Sequence, residues 1–97
     1  MPTYITLYKL TDQGIKSIKD APARIAAFVK GWEAMGGKVL GLYAVMGEYD
    51  YVGIAEGPSD EAAVTFALAL SSLGNVKTTT LRAFTKEEFA GLVKSLP

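Results

Sequence analysis

Any chemistry in this 97-residue chain would come from carboxylates, phenols and a few cationic side chains. The segment Met46-Gly47-Glu48-Tyr49-Asp50-Tyr51-Val52 gathers an Asp and two tyrosines around a Gly-containing turn, where a ligand or partner can reach them. Two roles are open to Asp50. It could act as a base or carboxylate ligand, or, in the commoner use of Asp in such turns, bond backbone N–H groups. Glu48, Asp50 and Glu56 lie close in sequence, but closeness along a strand does not bring three carboxylates together on one ion, and no metal site is expected. The chain has no Cys and no His. Disulfides, thiolate nucleophiles, Ser-His-Asp and Cys-His catalysis, structural zinc and histidine-held haem are therefore excluded. Acid–base work would fall to Asp, Glu, Tyr or Lys with a pKa displaced by burial or by a neighbour. No cofactor is expected.

Such residues need elements to position them, and composition bounds what those elements can build. Ninety-seven residues suit one domain, spanning 1–97. Hydrophobic residues make up 49% of the chain, which is rich for so small a unit. Apolar surface that one small core cannot hide usually ends in an oligomer interface. Ten basic and ten acidic residues cancel, so no net field steers the chain toward nucleic acid or an anionic membrane. No charged segment leads into an apolar run at the N-terminus, and no run is long enough to span a bilayer, so a cytoplasmic location is expected.

Thr3-Tyr4-Ile5-Thr6-Leu7-Tyr8-Lys9-Leu10 alternates and is rich in β-branched and aromatic residues, as a strand should be. Thr11-Asp12-Gln13-Gly14 breaks it. A helical stretch follows, clearest after Asp20-Ala21-Pro22, with Ile25, Phe28, Val29, Trp32 and Met35 recurring on one face until Gly36-Gly37 stops it. That spacing makes Trp32 a core residue. Residues 38–45 and 52–55 read as the two strands of a hairpin. Ser59 is a good N-cap for a nearly all-apolar helix over 62–73, with Asp60 and Glu61 in its first turn. Residues 76–85 form a last strand, and 86–96 a short terminal helix. The order β-α-β-β-α-β plus a tail helix predicts an α+β, ferredoxin-like sandwich, a four-stranded antiparallel sheet with two helices on one face.

That architecture leaves one sheet face uncovered. Placing the aliphatics Ile5, Leu7, Leu40, Leu42, Ala44, Val52, Ile54 and Leu81 under the helices puts the tyrosines, several threonines and Arg82 on the open face. The hairpin faces agree only with an odd number of residues in the turn, such as a three-residue loop with a bulge. A face of Tyr, Val and Leu is too apolar for solvent, so an identical face from a second subunit is expected to cover it. Arg82 on such a face must find a carboxylate, a ligand anion or carbonyls.

Four blocks now carry a resemblance. Leu10-Thr11-Asp12-Gln13-Gly14-Ile15-Lys16, the Met46–Val52 turn, Leu73-Gly74-Asn75-Val76, and Thr80-Leu81-Arg82-Ala83-Phe84-Thr85 followed by Glu87-Glu88-Phe89 resemble the GYD-domain family, in order and over nearly the whole chain. Met46 departs from the pattern, since a more polar residue often precedes the family's turn. The resemblance implies membership of the dimeric α/β-barrel superfamily, with two sheets packed face to face, and no established activity. The Gly47-x-Tyr49-Asp50-Tyr51 turn also looks like the corresponding turn in the amino-acid-sensing domain of Lrp/AsnC-type regulators, although this chain carries no DNA-binding segment.

Two functional readings follow. One is a homodimeric small-molecule-binding or sensing module with a cavity between facing sheets. The alternative is a cofactor-free enzyme, monooxygenase- or isomerase-like, as in other branches of the superfamily. In either, Tyr8, Tyr43, Asp50, Tyr51, Thr80 and Arg82 are the candidate binding residues, tyrosines offering an apolar ring with one polar tip. The bland reading of the same residues is a plain dimer interface. Asp12 and Lys16 could border a cavity mouth, or belong to a solvated helix-entry surface with Gln13, Lys19 and Arg24. The partners expected are a second copy of the chain, with assembly beyond the dimer left open, and a small organic ligand; neither nucleic acid nor membrane is expected.

Overall fold

The computed structural model describes all residues 1–97. In chain order the elements are β1 (Thr3–Leu10), α1 (Asp12–Lys16), a single 3-10 turn (Ile18–Asp20), α2 (Ala21–Ala34), β2 (Lys38–Ala44), β3 (Tyr51–Glu56), α3 (Asp60–Ser72), β4 (Val76–Ala83) and α4 (Lys86–Lys94). The strands form one antiparallel sheet in the order β2-β3-β1-β4. This is the ferredoxin-like α+β arrangement that the element order predicted.

The helix boundaries follow from local chemistry. The Thr11 hydroxyl accepts from Gly14 N at 3.1 Å and starts α1. Ser59 does the same for Ala62 N at 3.1 Å and starts α3, whose first turn carries Asp60 and Glu61 where the helix dipole favours negative charge. Pro22 occupies the first turn of α2, where its missing N–H costs nothing. Thr85 and Glu88 cap α4 reciprocally, with Glu88 N donating to Thr85 Oγ1 at 3.0 Å and Thr85 N to Glu88 Oε1 at 2.8 Å.

The core sits between sheet and helices and is built on aromatic rings. Tyr4, 4% exposed, packs with Trp32 of α2 and Ala63 of α3, flanked by Val39, Ala55 and Phe66. The Trp32 and Phe66 ring centroids lie 5.3 Å apart, and the Trp32 indole N–H donates to Glu56 O at 3.0 Å. Gly37 and Gly57 form the slot for that indole: a Cβ on either would come within 2.3 Å of it.

Two expectations need correction. The sheet faces are the reverse of those expected, because Tyr4, Val39 and Ala55 lie under the helices. Strand alternation then turns Thr6, Tyr8, Tyr51, Thr78 and Thr80 toward the helices, and leaves Ile5, Leu7, Val52 and Leu81 on the open face. Of the tyrosines expected there, only Tyr43 stands opposite an open-face residue, Val52. The reason is spatial. Two helices over a four-stranded sheet leave gaps that rings fill better than branched aliphatics, and Tyr4 can satisfy its hydroxyl at the N-terminus of α3. The bulge exists but lies inside β2, between Val39 and Gly41, and not in the turn. It flips the second half of β2, so Leu42 and Ala44 share a face with Gly53 and Tyr51.

Candidate functional site

Three strands bring a cluster of hydroxyls together beneath the helices. In register, Thr6 of β1 stands opposite Thr80 of β4, and Tyr8 stands between Thr78 of β4 and Tyr51 of β3. The Tyr8 and Tyr51 rings meet edge to face, 6.5 Å between centroids. Opposite Thr6 the sheet carries the buried Gly53, and the Tyr8 ring lies across it, 3.4 Å from where a Cβ would stand. These side chains floor a cavity of about 80 Å³, roofed by Ile25, Phe28 and Val29 of α2 and by Phe66 of α3. That is room for a few waters or a small organic fragment, since one water in the liquid takes roughly 30 Å³.

The lining sets the chemistry. All its titratable groups are phenols. Burial pushes the Tyr8 phenol above its ordinary pKa, opposed by the neighbouring Thr6 hydroxyl. Tyr8 is therefore neutral at physiological pH and can donate one hydrogen bond, with threonine hydroxyls beside it to donate or accept. Apolar walls with a few convergent hydroxyls suit a small uncharged molecule carrying a carbonyl or hydroxyl. Proton abstraction at neutral pH is poorly served by a phenol held in its protonated form.

The sequence-predicted site residues divide between this cavity and other places. Tyr8, Tyr51 and Thr80 line it together. Tyr43, 59% exposed, belongs to the opposite face of the sheet. Asp50 closes the hairpin loop against the end of β1: its carboxylate accepts from Leu10 N at 2.8 Å, and its N–H donates to Tyr8 O at 2.9 Å. Its carbonyl accepts from Val45 N at 2.9 Å. Arg82 lies toward the far end of β4, with its guanidinium 3.6 Å from the Asp60 carboxylate and 4.8 Å from the Phe84 ring centroid.

Sequence reasoning missed Thr6 and Thr78 as site residues, and missed the helical roof altogether. The signal was present as a hydroxyl at every second residue, Tyr4-Thr6-Tyr8 and Thr78-Thr80. The Tyr4–Asp60–Arg82 group was also unforeseen. The Tyr4 hydroxyl donates to Asp60 Oδ1 at 2.5 Å, and loss of solvent, reinforced by that bond, pushes the phenol up to about 12. Asp12 and Lys16 are exposed on α1. Thr11 and Gln13 beside them tie α1 to the α3–β4 turn: Thr11 Oγ1 donates to Gly74 O at 2.6 Å, and Gln13 Nε2 donates to Leu73 O at 3.1 Å and Asn75 Oδ1 at 3.0 Å.

Fold and cavity together define a small ferredoxin-like α+β protein with a hydroxyl-floored pocket between its layers. A model of the GYD domain matches residues 4–93, and the chain belongs to that family. A relative from Thermus thermophilus, described as a glutamine synthetase and cystathionine beta-lyase binding protein, is 39% identical over 84 residues, covering 86% of this chain and 88% of that one. Among solved structures, the leucine response regulatory protein LrpA of Mycobacterium tuberculosis superposes with a TM-score of 0.63 at 22% identity. The match covers 88% of this chain and 51% of LrpA, so the chain spans about half the regulator's length. TTHA0845, also from Thermus thermophilus, superposes with a TM-score of 0.56 at 24% identity, covering 88% of this chain and 95% of that one. These two likenesses concern the fold. No helix is long and apolar enough to cross a membrane.

Proposed function

We propose that the protein is a homodimeric binding module that attaches to metabolic enzymes and holds a small uncharged organic molecule between its sheet and helices. The observation that carries the reading is how little of the chain one copy buries. Nine of its 97 residues are buried, and Tyr43 and Leu81 on the open side of the sheet are 59% and 46% exposed. The accessible surface is 6462 Å². A compact protein of this mass would expose about 5,400 Å², a surplus of about 1,100 Å². A standard interface buries about 800 Å² on each partner, so a second copy accounts for surplus of this size. A pocket lined by phenols and threonines supports binding above catalysis. The Thermus relative's description supports partner enzymes such as glutamine synthetase.

The test has two arms. In sedimentation at micromolar concentration the wild type runs as a dimer, Tyr43→Ala weakens it, and Tyr51→Ala, under the helices, leaves it intact. A wild type that stays monomeric overturns the dimer. Calorimetric titration with purified glutamine synthetase of the same organism gives a saturable heat. The absence of any heat at 100 µM sinks the partner assignment, whatever the oligomer does.

A further inference from the structure

Helix α4 is well made and covers nothing. Its start is fixed twice: by the reciprocal Thr85–Glu88 cap, and by the Phe84 ring stacked on Arg82, whose guanidinium also lies 3.6 Å from Asp60 and 5.8 Å from the Tyr4 ring centroid. The exit direction from β4 is thereby built into the body of the fold. Phe89, Leu92 and Val93 recur at i, i+3 and i+4 along one face of α4, and Leu96 follows two residues past its end. They are 61%, 50%, 48% and 70% exposed, so their own subunit leaves the stripe bare. The molecule is correspondingly long, 52 × 30 × 19 Å, with a radius of gyration of 14.7 Å where about 12.5 Å is usual for this length.

We propose that α4 is an exchanged arm, whose apolar side of Phe89, Leu92 and Val93, with Leu96 just beyond the helix, packs on a second copy of this chain along the margin of that copy's open sheet face. The inference rests on the homodimer proposed above. Three considerations select a second copy as the occupant. A nine-residue helix is marginal in water by itself and needs a resident partner, present whenever the chain is folded. A two-fold exchange satisfies both arms and both sheet margins with one kind of contact. The surplus surface of about 1,100 Å² is somewhat more than the about 800 Å² that a standard interface buries on one partner, and both the arm and the aliphatic face with Leu81 contribute to it.

The chain's lack of cysteine allows a single attachment point. Gly91 lies on the side of α4 away from the stripe, with open space around it. Unlabelled Gly91→Cys carrying a nitroxide is mixed with ¹⁵N-labelled wild type, so that any broadened amide signal comes from the partner's arm. Broadening at Ile5, Leu7 and Leu81 is expected. In sedimentation Phe89→Ser/Leu92→Ser raises the dimer Kd at least tenfold. Circular dichroism and the unchanged signals of the sheet check that this variant is folded. A dimer without cross-subunit broadening, or with an unchanged Kd in the arm variant, overturns the arm and leaves the dimer standing. A monomeric wild type overturns the dimer first, and the arm with it. Broadening confined to Val64 and Leu68 on α3 overturns the sheet margin as the receiving surface.

Discussion

At the scale of single residues, position within the fold decides what each phenol and carboxylate does. Tyr4 shows this best. Its ring is 4% exposed, its hydroxyl donates to Asp60, and its pKa is pushed up to about 12 from an ordinary value of 10.0. The folded state therefore holds this proton more tightly than the unfolded chain does. The resulting stability is fully present below about pH 10 and is lost as the pH rises toward about 12. Tyr4→Phe keeps the ring and removes the bond, so it should cost about 1–2 kcal/mol at neutral pH in urea unfolding. Its unfolding free energy should fall less between pH 9.5 and 11.5 than that of the wild type; an equal fall would show that Tyr4 does not set the alkaline limb. Asp50 was legible as one of two readings, and its backbone bonds follow the structural one. Tyr4 was legible as a strand residue, but its hydrogen bond to Asp60, 56 positions away, was not. Contacts of that span depend on how layers stack, which strand propensity does not record.

At the scale of elements, recognisable sequence blocks turn out to be junctions. The Leu10–Lys16 and Leu73–Val76 blocks meet each other: Thr11 N donates to Asn75 O at 3.0 Å, and α1 packs so closely on that turn that a Cβ on Gly14 would stand 2.1 Å from Asn75 O. The neighbour is backbone and cannot swing aside. Gly14→Ala should destabilise the fold by about 1–3 kcal/mol, read as a lower urea midpoint, because overpacking displaces both segments. A midpoint within error of the wild type would mean that α1 is not held against the turn. The Ser59 cap of α3 was legible because it is made within four residues of chain, whereas Thr11, read only as a break after β1, turned out to cap α1. The bulge in β2 was placed in the wrong segment, because alternation reveals that the register shifts somewhere but not where.

At the scale of the whole molecule, one copy is an incomplete object. Both faces of its sheet are apolar, and only one is covered by its own helices. If a second copy supplies the missing cover, folding and association are linked, and the thermal midpoint depends on protein concentration. Raising the chain from 1 to 100 µM should lift the midpoint by several degrees, about 2.7 kcal/mol being available per hundredfold by mass action. A midpoint independent of concentration over that range, together with a monomeric sedimentation profile, would return the open face to solvent.

The sequence by itself determined the order of the main strands and helices, the Ser59 cap, the antiparallel ferredoxin-like sheet and the family, because each is encoded in local spacing or in short blocks. Only the tertiary structure decided which face of the sheet meets the helices, and therefore that Tyr8, Tyr51 and Thr80 share a cavity while Tyr43 does not. The physical reason is that hydrophobicity separates a buried face from a wet one. When both faces are apolar it cannot say which is buried against what, and ring volume, glycine slots and hydrogen-bond partners for the phenols make the choice.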